Sequence, residues 1–170
     1  MTYIRIKDVT KKNGKKYTYA YLVQTTWRKR KHPKQKSLKY LGKIYSFNQE
    51  QNIHHCINHH LEKEHLFRDL LKIELLNHGF EEKKKSIFHK ENCIVDLSRF
   101  LFYDKNGKET VLQINSGFLC HHSVHQLLHY TITNDKKGQK HFAKTLALTG
   151  IHLHPEEFVD LYEYMNNERI

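Results

Sequence analysis

Two groups of residues in this chain carry chemistry in their types and spacing. The first is a pair of imidazole and thiol clusters. In His54-His55-Cys56-Ile57-Asn58-His59-His60, a helix would set His55 with His59, and Cys56 with His60, one turn apart. Cys120-His121-His122-Ser123-Val124-His125, followed by His129, repeats the spacing, with His121, His125 and His129 along one helical face. Two such pairs on facing helices would suit zinc, which accepts imidazole and thiolate in a tetrahedral shell. Against that stands the abundance of histidine, 15 in all, which produces such pairs by chance. No recognised zinc pattern accompanies them. The expectation is therefore no cofactor. The alternative is zinc held by His55, His59, Cys56, His60, His121 and His125, serving a metal-dependent nuclease or processing enzyme. Other catalytic signals are weak. Asp96, Asp104, Glu109 and Asp135 lack the spacing of a two-metal nuclease, and Ser98, Ser116 and Ser123 lack a nucleophile elbow. No glycine-rich phosphate loop is present, so the reading leans away from an enzyme.

The second group is cationic. The net charge is +11, and its distribution says more than its size. Residues 1–45 hold fourteen Lys or Arg and one acid, Asp8, whereas the remainder has a slight acidic excess. A cationic end of this kind suits a polyanionic partner. Arg5, Lys7, Lys11, Lys12, Lys15, Lys16, Arg28, Lys29, Arg30, Lys31, Lys34 and Lys36 are the candidate phosphate contacts, with Trp27 among them. Tyr17, Tyr19 and Tyr21 alternate between the basic runs. Alternating aromatics usually pack, so this tyrosine face is expected to form the core of a small sheet. The alternative is that the rings stack on bases.

These side chains need elements to place them. Ile4 and Ile6 alternate with Arg5 and Lys7 over residues 2–9, as a strand does. Asn13-Gly14 is a strong hairpin signal because both residues tolerate positive φ. Residues 16–27 and 37–45 supply two further strands, giving a three-stranded antiparallel meander. Residues 48–65 read as a helix with Asn48 and Gln51 as a capping box, and residues 66–77 as a second helix stopped by Asn77-His78-Gly79. The charged run 81–86 reads as exposed. Ile94–Tyr103 and Thr110–Asn115 flank Asn106-Gly107, a second hairpin over 94–115. Helices follow at about 120–131, 137–149 and 155–167, the last opened by Pro155.

The fold class is α+β: a basic three-stranded antiparallel N-terminal sheet, a helical connector, a second β-hairpin and C-terminal helices. The expected division is a basic β module at 1–47, a helical connector at 48–80, and an α+β unit at 81–170. Three widely spaced cysteines, Cys56, Cys93 and Cys120, fit reduced thiols rather than a disulfide framework. No signal peptide or membrane-length apolar run is read, so a cytoplasmic protein without a membrane partner is expected.

Tyr3-Ile4-Arg5, Asn13-Gly14-Lys15-Lys16-Tyr17, Tyr19, Tyr21-Leu22-Val23, Trp27-Arg28 and Leu38-Lys39-Tyr40-Leu41-Gly42 together resemble the N-terminal module of IS1634-type transposases. The resemblance covers about the first 45 residues and implies DNA binding by a β module. It does not extend to the long acidic-triad catalytic domain of those enzymes, so transposition chemistry is not implied. The expected function is non-catalytic nucleic-acid binding, with DNA favoured over RNA. A protein-interaction module is a further alternative, its partner met by the C-terminal helices.

Overall fold

A computed structural model describes residues 2–27, 32–131 and 136–167. The N-terminal meander forms as expected. β1 (Thr2–Thr10) and β2 (Lys16–Thr26) pair in unbroken antiparallel register from Thr2↔Gln24 to Thr10↔Lys16. Their turn closes on Gly14 at φ 74°, while the Asn13 side chain accepts the Lys15 N–H at 3.1 Å. β3 (Lys34–Ser46) pairs antiparallel with β2, with register shifts between Ala20 and Tyr21 and between Leu22 and Val23.

β3 then does something the sequence did not announce. It pairs in parallel with β8 (Thr110–Ile114), from Lys43↔Thr110 to Ser46↔Gln113. β8 turns antiparallel into β9 (Gly117–Leu119), giving a five-stranded sheet in the order β1-β2-β3-β8-β9. β1, β2 and β3 therefore share one sheet with β8 and β9. Parallel pairing forces the chain to cross over before returning. The crossover contains α1 (Lys63–Asn77) and a second, four-stranded meander: β4 (Glu81–Lys84), β5 (Ile87–Lys90), β6 (Cys93–Asp96) and β7 (Leu101–Asp104).

Two expectations need correction. Residues 48–62 are not helical. Their backbone is held from outside instead: Glu50 and Gln51 N–H donate to Asn77 O, and the Asn77 side chain bonds both Ile53 N and Ile53 O. The charged run 81–86 is exposed from Glu81 to Lys85, as read, and it forms β4 and its turn. The run 94–103 is two strands rather than one, because Asp96 caps Ser98 and Phe100 takes φ 54° between them. The Asn106-Gly107 turn forms as read, with Asp104 accepting the Asn106 and Lys108 N–H groups. Only a single bridge, Tyr103↔Glu109, links its two sides before β8 departs for β3.

The C-terminal helices are α2 (His121–Leu128), α3 (Lys136–Thr149) and α4 (Pro155–Asn167). The main core unites α1, both sheets and these helices around Phe67, Leu71, Phe88, Leu112, Phe142 and Leu161. α3 packs so closely on β9 that a Cβ at Gly117 would meet Gly150 N at 2.2 Å. A smaller cluster, Ala20, Leu41, Ile44, Val111 and Cys120, lies under the N-terminal strands, with Ile4, Leu22 and Phe118 against it.

Candidate nucleic-acid interface on the outer face of the sheet

Directly opposed residues of an antiparallel pair project to the same side. The register therefore puts Tyr3, Arg5 and Lys7 on one face with Val23, Tyr21 and Tyr19. The same rule adds Tyr40 opposite Tyr21, and Lys43 opposite Tyr19. The rings form a continuous row: Tyr17–Tyr19 centroids are 6.4 Å apart, Tyr19–Tyr40 6.1 Å and Tyr21–Tyr40 5.4 Å. Cations sit over it. Lys11 Nζ is 4.7 Å from the Tyr17 centroid, and Lys43 Nζ is 5.0 Å from Tyr17 and 4.2 Å from Tyr45. At the other end Arg5 Nη1 donates to Gln35 Oε1 at 2.9 Å, and Gln35 donates to the Tyr3 hydroxyl at 2.8 Å.

This row is not the core of the sheet, contrary to expectation. Tyr17, Tyr19 and Tyr21 are half-buried and Tyr40 is 48% exposed, whereas Ala20 on the reverse face is fully buried. Ala20 is small enough for Leu41, Ile44 and Val111 to close over it, so the core chose the side that looked less hydrophobic. Burial, then the neighbouring phenols of Tyr19 and Tyr21, push the Tyr40 hydroxyl above its usual range, so it stays neutral.

The candidate phosphate contacts divide between the two faces. Arg5, Lys7, Lys11, Lys12, Lys15, Lys16, Lys34 and Lys36 are all exposed. Arg5, Lys7 and Lys11 join Lys43 on the tyrosine side. Lys16, Lys34 and Lys36 oppose Thr10, Thr26 and Gln24 and so lie on the reverse side. Lys12 and Lys15 belong to the β1–β2 turn. Trp27, 77% exposed, follows β2. Arg28, Lys29, Arg30 and Lys31 lie outside the described residues. Asp8, the acid of the first two strands, is on the reverse face, where it accepts from Thr18 Oγ1 at 2.8 Å. The tyrosine side of β1–β3 thus carries cations and no carboxylate among the described residues.

The metal candidates are not brought together. Without a helix at 48–62, the faces proposed for His55, His59, Cys56 and His60 do not exist. His55 is buried, its Nε2 3.3 Å from Glu74 Oε1. Cys56 and His60 are exposed, and His59 packs edge-on against Tyr164 at 5.9 Å. His121 Nδ1 lies 3.1 Å from Phe100 O, and the His121 and His125 rings are 6.2 Å apart. Among the described residues no group of three or more His, Cys, Asp or Glu is placed to hold a metal ion.

Two features escaped the sequence reading. Glu74 is buried, and it gathers three distant segments. Its Oε1 accepts the His152 N–H at 2.6 Å and faces His55, while Oε2 accepts from Asn115 Nδ2 at 2.8 Å. The space beside it is about 10 Å³, enough for about one water, so this carboxylate ties the fold rather than receiving a substrate. The other is a cleft of about 930 Å³ between the reverse face of β1–β2 and helices α2 and α3. An isolated Glu or a scatter of histidines gives no sign of either in one dimension.

Among the described residues no helix is long and apolar enough to cross a membrane. In comparisons with known proteins, no protein-family model, no curated protein and no solved structure matches this chain.

Proposed function

We propose that this protein binds nucleic acid without catalysis, holding single-stranded segments on the tyrosine side of β1–β3. DNA is the favoured polymer, on the resemblance of the first 45 residues. The observation that carries the reading is the partly exposed row Tyr17, Tyr19, Tyr21 and Tyr40, bordered by Arg5, Lys7, Lys11 and Lys43, with no carboxylate on that side from the described residues of β1–β3 and Asp104 of β7 the acid that acts on Tyr40. Aromatic rings at this spacing offer each base a π-face, and stacking contributes about 1–3 kcal/mol per base. The cations follow the phosphates and release their counterions. A duplex hides its base faces, so it gains the electrostatic part alone.

The test is fluorescence anisotropy with labelled single-stranded DNA, single-stranded RNA and duplex DNA of one length. The single strands are expected to bind more tightly than the duplex, and Tyr19→Ala with Tyr21→Ala is expected to erase that preference. Equal binding of duplex and single strand, unchanged by the tyrosine substitutions, would overturn the proposal. Deleting residues 1–45 is a poorer test, because it removes the strand that β8 pairs with.

A further inference from the structure

The cleft on the reverse face of the sheet has its own chemistry. One wall is the side of α3 on which Lys137, His141, Lys144 and Leu148 recur at helical spacing. The opposite wall is Ile4 and Leu22 of the first two strands, and Phe118 of β9 lies between. Ile4, Leu22 and Phe118 rest on the smaller apolar cluster, so this floor is fixed by packing. Leu148 by contrast is 54% exposed at the mouth. His122 of α2 and His129 just after it add imidazoles to the polar lining. No Asp or Glu lines the cleft among the described residues. A volume of about 930 Å³ lies within the range of small-molecule sites, which are largely apolar with a few placed polar groups.

We infer that this cleft binds a small organic anion with an apolar body, its acidic head group against Lys137 and Lys144 and its body on Ile4, Leu22 and Phe118. Charge complementarity selects the head group, since two ammonium groups stand at one edge and no carboxylate lines the cleft among the described residues. The apolar floor selects the body, because water gains nothing there and a hydrocarbon or aromatic surface does. A nucleic-acid strand suits the cleft less well, since it brings a charge at every nucleotide and the floor offers none to meet it. The inference is independent of the proposed function, because the tyrosine row faces the other way.

The experiment is a titration of the full chain with the fluorescent anion anilinonaphthalene sulfonate, followed by displacement with laurate and, separately, dodecanol. Saturable binding is expected, with laurate displacing the dye at concentrations about tenfold lower than dodecanol, a difference worth about 1.4 kcal/mol. Lys144→Glu and Leu148→Glu, both at exposed positions of α3, are each expected to weaken dye and laurate binding by at least about tenfold with the melting temperature retained. Lys7→Glu, on the far side of the sheet, is expected to leave it unchanged. Absence of saturable binding, equal displacement by dodecanol, or indifference to both α3 substitutions in folded protein would overturn the inference. So would displacement of the dye by an oligonucleotide in the unsubstituted protein but not in Lys144→Glu, which would make a phosphate backbone the occupant. Loss of oligonucleotide binding in the tyrosine variants, with dye binding intact, would leave the cleft standing on its own.

Discussion

The two halves of the five-stranded sheet are built to different ends. In the inner half, β8 contributes Val111, Leu112 and Ile114, all essentially buried, with residues on each face joining one of the two cores. In the outer half, β1 and β2 bury Ala20 on one side and, of the tyrosine side, only Val23 at its end, while the tyrosines there stay half-buried and the cations exposed. The inner half spends its side chains on packing. The outer half keeps large rings and charges where a second molecule can reach them, which is what an aromatic-lined binding face requires. The comparison teaches that the cationic excess of residues 1–45 belongs to part of a sheet rather than to a free-standing module.

The largest effect expected from this division is on stability, and it falls on the inner body. Glu74→Ala would leave the buried His55 ring and the part-buried His152 N–H without their acceptor, and the Asn115 amide with Gly150 O alone. A loss of about 3–5 kcal/mol is expected in urea unfolding, the scale for removing one partner of a buried polar network. Tyr19→Ala on the outer face is expected to cost only about 1 kcal/mol, the scale of cross-strand pair contacts. Equal costs at the two sites would break the comparison.

Affinity is expected to respond in the opposite order. Tyr19→Ala and Tyr21→Ala should each cost about 1–3 kcal/mol in binding a single-stranded oligonucleotide, and Glu74→Gln should leave affinity unchanged wherever the protein is folded. Next in size is the salt response. Lys7→Gln and Lys43→Gln are each expected to flatten the slope of log affinity against log salt by about 0.7. Lys34→Gln, on the reverse face, should leave the slope as it was.

The thiols sharpen the same contrast by reactivity. Burial pushes the Cys93 thiol up to about 12 and also raises Cys120, so both stay protonated at neutral pH. Cys56 is exposed. A thiol reagent should modify Cys56 in the folded protein, and Cys93 and Cys120 only on unfolding. The smallest effect concerns His122, where α2 meets the reverse face. Burial first, then Lys39 and the rings of His125 and His121, hold its pKa below the ordinary imidazole range. The unfolded chain therefore takes up a proton that the folded chain refuses. Stability should be fullest above that range and decline as pH falls through it. His122→Gln should make thermal melts less sensitive to pH in that window.

What could be read along the chain was whatever rests on local chemistry. Asn13-Gly14, Asn106-Gly107 and Pro155 each dictate a backbone conformation by themselves, and each marks the turn or helix start expected there. Residues 48–62 misled because their helix-compatible composition is overridden by partners far away: Asn77 takes the Ile53 backbone, and Glu157 Oε1 accepts the His55 N–H at 2.8 Å. The tyrosine row was legible as a row but not as a surface. Alternation says which residues share a face, while the choice of core face depended on Ala20 meeting β8 across a parallel pairing. The Asn115-Ser116 turn, with φ 45° and 66°, and the Glu74 contacts are fixed by tertiary packing and have no local signature.

The central claim is that bases lie on the tyrosine side of β1–β3, and ultraviolet crosslinking to a single-stranded oligonucleotide tests it most directly. Peptide mass spectrometry is expected to find nucleotide adducts on Tyr17, Tyr19, Tyr21 or Tyr40. Adducts confined to α2, α3 or the four-stranded meander, with those tyrosines unmodified, would contradict it.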